Sequence, residues 1–127
     1  MRCNFPLPTT AGFVYFARAG DGPVKIGWSR DPHARSRHLR CPVSGTKVSI
    51  IACFAGTPSE EAFVHGALHH HRLPIRGGAA GNTEWFAPSA EVLAFAEHGL
   101  DMIAAIRGAL LSLADDLRAV AAIAAAE

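Results

Sequence analysis

The chain has 127 residues, 50% of them hydrophobic and 18% charged, which fits one domain and excludes a disordered chain. Its 12 Lys and Arg against 11 Asp and Glu leave a formal charge of +1, and that near-neutrality taken alone argues against a nucleic-acid binder. The distribution argues the other way. Residues 1–40 carry Arg2, Arg18, Lys25, Arg30, Arg35, Arg37 and Arg40 against Asp21 and Asp31, whereas residues 89–127 carry Arg107 and Arg118 against Glu91, Glu97, Asp101, Asp115, Asp116 and Glu127. A cationic front and an anionic back suit a polyanion that approaches from one side.

Residues 1–11 read as a lead-in. Met1-Arg2-Cys3-Asn4, broken by Pro6 and Pro8, gives no apolar run of signal-peptide type. Cys3, Cys41 and Cys53 show no Cys-x-x-Cys spacing, so reduced thiols and a cytoplasmic location are the expectation. Gly12 to Ala17 then predicts a strand, Asp21-Gly22-Pro23 a turn and Val24 to Trp28 a second strand, together a hairpin with Tyr15 and Lys25 close to each other. Pro32 to Arg40 predicts a short helix after caps at Ser29 to Asp31, and Cys41 to Gly45 stops it.

Val48 to Phe54 is apolar enough for a buried strand, and a helix capped by Thr57 or Ser59 follows to about Leu68. Residues 72–83 predict a loop, Glu84-Trp85-Phe86 a last short strand, and Ser89 the cap of an Ala-rich helix that Gly99 interrupts before a second helix. The order β-β-α-β-α-β-α-α predicts an α+β fold with a small mixed or antiparallel sheet of three to four strands. Residues 12–88 would form the domain, and 89–127 a C-terminal helical extension. In that extension Ile103, Ile106, Leu110, Leu113, Leu117, Val120 and Ala124 make a heptad seam. The seam either docks on its own domain or binds a partner protein or a second copy through the 103–124 helix. Arg107, Asp115, Asp116 and Arg118 interrupt it, which argues against a membrane span.

Gly12-Phe13-Val14-Tyr15, with Lys25-Ile26-Gly27 ten residues beyond its Tyr, resembles the paired signature of the GIY-YIG endonuclease superfamily. Arg35 stands ten residues further on, and Glu61 heads the following helix. The branch with Lys-Ile-Gly in place of Tyr-Ile-Gly, found in phage DNA-binding domains and meiotically up-regulated gene products, is similar also in Asp31-Pro32, Glu61-x-x-x-His65 and Glu84-Trp85-Phe86. The resemblance implies a small metal-dependent DNA endonuclease with Tyr15, Lys25, Arg35, Glu61 and His65 as catalytic residues and Glu61 as ligand of one Mg²⁺ or Mn²⁺. Departures at Trp28, at Leu39 and at the late asparagine, where Asn82 does not align, leave open a catalytically weakened DNA-binding module on the same fold.

Each matched residue has a physical job in phosphodiester hydrolysis. A carboxylate such as Glu61 suits a hard divalent cation. The Arg35 guanidinium can fork onto two phosphate oxygens. Tyr15 or Lys25 would take the proton of the attacking water, helped if neighbouring cations lower its pKa. Arg30, Arg37, His38, Arg40 and Arg72 would track the DNA backbone. Plainer roles stand beside these: a solvated helix face for Arg35, Arg37 and Arg40, a helix-dipole carboxylate for Glu61, and core packing for Trp85 and Phe86. His65 and His69, four apart on a helix, have the spacing of a zinc pair, but no third ligand is fixed by spacing, so a zinc-binding interaction domain is the weakest of three readings.

Overall fold

The computed structural model describes residues 12–75 and 84–126; the lead-in, residues 76–83 with Asn82, and Glu127 lie outside them. Gly12–Arg18 (β1) and Val24–Ser29 (β2) form the expected hairpin, Ser49–Gly56 (β3) pairs with the other side of β1, and Trp85–Phe86 (β4) pairs with β2. All pairings are antiparallel in the order β3-β1-β2-β4. The fold class is α+β.

Alternation along β1 sorts its side chains onto two faces. Val14 and Phe16 join Val24, Ile26, Ala52, Phe54 and Phe86 in a core closed by Val64 of Pro58–Ala67 (α2), by Leu68 just after it, and by Val92, Phe95 and Ile103 of Ala90–Ala126 (α3). Phe13, Tyr15 and Ala17 face the other way, against Cys41, Val48, Ile50 and Trp85. Trp85 and Phe86 are therefore core residues. Cys41 is a buried free thiol, whereas Cys53 is disulfide-bonded, which corrects the expectation of reduced cysteines.

The helix after β2 is shorter than expected: Pro32–Ser36 (α1) replaces a helix to Arg40. Asp31 caps it by accepting from the Ala34 amide, and His38 and Leu39 close it with bonds back to Arg35 and Ser36 three residues earlier. The chain then turns so that Arg40 bridges to Lys47 and Leu39 packs on the second cluster. Burying Leu39 ends the helix early. Thr57 caps α2, accepting from the Ser59 amide at 3.2 Å.

The expected interruption near Gly99 falls at His98, whose backbone is non-helical (φ −122°, ψ 27°) and divides α3 into two helical segments. A Cβ at Gly99 would lie 2.4 Å from Phe54 Cε1, so the glycine serves close packing of α3 on β3. The heptad seam divides beyond that point. Ile103 is buried and Ile106 packs on the core, but Leu110, Leu113 and Leu117 are 54%, 53% and 61% exposed. Among the described residues no helix is long and apolar enough to cross a membrane.

Candidate functional site at the open edge of β2

β4 is only two residues long, and among the described residues no strand covers the edge of β2 beyond Ile26. The Ile26 amide is taken by the Glu84 carbonyl at 3.1 Å, and the Ile26 carbonyl accepts from His65 Nε2 at 2.8 Å. These two bonds bring the end of β4 and the middle of α2 to one point. Glu61 lies one turn before His65, with its carboxylate 3.7 Å from His65 Nε2.

Tyr15 reaches the same point from the neighbouring strand. It pairs with Gly27, and a Cβ on Gly27 would lie 2.5 Å from the phenol oxygen. The tyrosine ring lies across β2 because that residue has no side chain. Arg35 on α1 donates towards the phenol, and Glu84 and Glu61 are near enough to act on it electrostatically. Lys25, on the same face of β2, is buried, ion-paired with the Glu84 carboxylate, and 5.8 Å from the Trp85 ring.

Electrostatics follow from that crowding. Burial, reinforced by the negative charge of Glu84, pushes the Glu61 carboxyl above its usual value, with Lys25 pulling the other way. Burial also raises the Tyr15 phenol, and this outweighs the lowering by Arg35. The expectation of a phenol activated by its cations is therefore not met by Arg35 alone. His65 is held neutral by burial, with Arg72 adding to that effect. Its Nε2–H goes to Ile26, its Nδ1 accepts from Arg72 at 3.1 Å, and its ring stands edge-on to Phe86. Both nitrogens are thus engaged, and His65 ties α2 to the edge of β2.

Tyr15, Lys25, Arg35, Glu61 and His65 thus gather at one place. Residues 12–99 match the family model of the T5orf172 domain. The chain belongs to the T5orf172 domain family. The T5orf172 domain is GIY-YIG-like and nuclease-associated, in keeping with the order of the motifs along this chain. No curated protein and no solved structure matched the chain.

The residues expected to contact DNA come from two parts of this T5orf172 domain. Arg30, Arg37, His38 and Arg40 are exposed on and around α1, and Arg37 shares a shallow cleft with His33 and Lys47. Arg72 lies on the α2 side, committed to His65 and stacked 5.5 Å from Phe86. One residue of the site was missed in the sequence. Glu84 was visible only as part of a motif, and its closeness to Lys25 depends on the β2–β4 register.

Proposed function

We propose that this chain is a metal-dependent DNA endonuclease of GIY-YIG type. What supports it most is the joint presence of Tyr15, Arg35 and Glu61 around the open edge of β2. The donor chemistry fits a hard divalent ion: Glu61 is a half-buried carboxylate with Glu84 beside it, and this negative pair is offset by Lys25. Glu61 would be the principal ligand of Mg²⁺ or Mn²⁺. When bound, such an ion supplies charge stabilisation at the phosphate and a more acidic water.

The chain's own residues do the rest. The exposed Arg35 guanidinium forks onto the scissile phosphate. Tyr15, beside it, would take the proton of the attacking water as its phenolate, after giving up its own proton to solvent. Lys25 offsets the carboxylate charge of Glu84, and His65 holds the β2 edge and α2 in register. Arg30, Arg37, His38 and Arg40 track the approaching backbone.

The expected result is nicking of plasmid or branched DNA in Mg²⁺ or Mn²⁺, reduced at least about 100-fold by Arg35→Ala and by Glu61→Gln, the scale of losing one transition-state contact. Binding of uncleaved DNA should weaken as salt rises, with a log–log slope of about −0.9 per phosphate contact. Wild-type protein that binds DNA but never nicks it across both metals would sink the nuclease reading. It would leave the second reading, a catalytically weakened DNA-binding module, which the raised pKa of the buried Tyr15 phenol favours.

The exposed apolar face of α3 supports assembly. Leu110, Leu113, Leu117 and Val120 continue the seam past the docked part of the helix, and pairing with a second copy through the 103–124 helix would bury them. Leu113→Asp with Leu117→Asp should reduce a sedimentation mass of two chains to one. A single-chain mass for the wild type removes the homodimer.

A further inference from the structure

The fold supplies a third ligand that the histidine run lacked, and at a different pair of histidines. His69–His71 forms a 3-10 turn after α2, held by bonds from His71 to Leu68 (2.8 Å) and from Arg72 to His69 (3.1 Å). The Ala87 amide donates to the His71 carbonyl at 2.8 Å, which ties this turn to the start of α3. Ser89 caps α3 by accepting from the Val92 amide and so fixes Glu91 in the first turn. Glu91 Oε2 lies 3.2 Å from His70 Nε2 and 2.9 Å from His71 Nε2. The three donor atoms all fall within 4.8 Å of one another, and they form the one such His/Cys/carboxylate group of three or more among the described residues.

We propose that His70, His71 and Glu91 form a zinc site distinct from the carboxylates at the β2 edge. Two imidazole nitrogens and one carboxylate oxygen are a borderline donor set that suits Zn²⁺ better than Mg²⁺ or Mn²⁺. With bonds of about 2.0–2.1 Å, two ligand atoms on a tetrahedral zinc stand about 3.3–3.4 Å apart, so the two separations from Glu91 need to widen by only a few tenths of an ångström, and the two imidazole nitrogens lie within 4.8 Å of each other. The backbone bonds on either side fix both the turn and Glu91 beforehand, so binding orders little chain. Three protein ligands leave a fourth position for water.

The position also suggests a use. His71 precedes Arg72, whose guanidinium holds His65 against the Ile26 carbonyl. An ion bridging the turn to α3 would stiffen the support of the β2 edge from outside it. His65 and His69, the pair suggested by helical spacing, are not part of this cluster.

Zinc titration of the untagged full chain, competed against a chromogenic chelator, tests the site. One equivalent should bind with a Kd below about 10 μM, and Glu91→Gln and His71→Ala should each weaken it at least about tenfold, one ligand's worth of affinity. Glu61→Gln should bind zinc like the wild type, which separates this site from the proposed catalytic one. Cobalt should give the intense visible bands of a four-coordinate ion with no near-ultraviolet thiolate band. Wild-type protein that takes up no zinc in this range, uptake unchanged in both Glu91→Gln and His71→Ala, or a thiolate band pointing to cysteine ligands would each overturn the proposal. Both side chains are partly or fully exposed, and a far-ultraviolet spectrum equal to wild type shows that a variant's loss is local.

Discussion

Gly27→Ala is expected to stop DNA nicking, by at least about 100-fold, while leaving a folded domain. The methyl group would sit 2.5 Å from Tyr15 Cζ and from its oxygen, a separation that real side chains do not tolerate. The ring must swing off β2, and its partner Arg35 then faces solvent. Overpacking of this kind costs about 1–3 kcal/mol, which a domain of ordinary stability survives. The activity does not survive if Tyr15 takes the water's proton from its present place, because a displacement of 1 Å can cost about 100-fold. The control is Tyr15→Ala with Gly27→Ala. Urea unfolding should show that Gly27→Ala costs little stability in the Tyr15→Ala background, while nicking stays absent. Nicking by Gly27→Ala at the wild-type rate would remove Tyr15 from the chemistry.

Gly27 also marks how far the sequence could be read. The spacing Tyr15, Lys25-Ile26-Gly27, Arg35 was legible because strand and turn residues leave little freedom in a short hairpin, and the hairpin formed with Tyr15 opposite Gly27. The four strands were legible from β-branched and aromatic runs. The end of α1 was not, because burial of Leu39 against the second cluster overrode a pattern that continues helically to Arg40. The zinc-like group was hidden for another reason: Glu91 is 20 residues from His71, and the bonds from Ala87 to the His71 carbonyl and from Leu73 to the Trp85 carbonyl bring the two segments together. Helical spacing drew attention to His65 and His69, but α2 ends at Ala67 and the histidines after it lie on a turn of different pitch.

Electrostatic roles were the least legible part, because they depend on which charges burial brings together. Lys25 looked like a candidate base. In the structure its ammonium is the counter-charge of Glu84, and through Glu84 it sets the environment of Glu61. The buried phenol, with Arg35 nearby, still has a raised pKa. A cation at Glu61 would add a second positive charge near Tyr15 and push that pKa down again. On this view an ion at Glu61 and the readiness of Tyr15 are coupled, which accounts for a tyrosine placed between an arginine and two carboxylates.

Lys25→Met follows from the same arrangement and should be the most destabilising single change at the site. Removing the ammonium leaves Glu84 unpaired and Glu61 without the one group that favours its ionised form. Breaking a buried ion pair costs about 3–5 kcal/mol; because the Glu84 side chain is 32% exposed, water recovers part of this and about 2–3 kcal/mol is expected. Adding Glu84→Gln removes the orphaned charge and should restore most of the stability, since a pair replaced on both sides is close to neutral. The deficit has a direction in pH. The Glu61 carboxyl is raised in the folded chain, so its neutral form favours folding below the unfolded value of about 4.5, and that contribution is lost as pH rises through the folded value. Lys25→Met should therefore lose more stability at pH 7 than near pH 4.5, where the carboxyls begin to protonate. Urea midpoints of the wild type, the single variant and the double variant at both pH values decide it. An equal loss at both, with no recovery in the double variant, would mean that the charge of Lys25 does not govern the carboxylates.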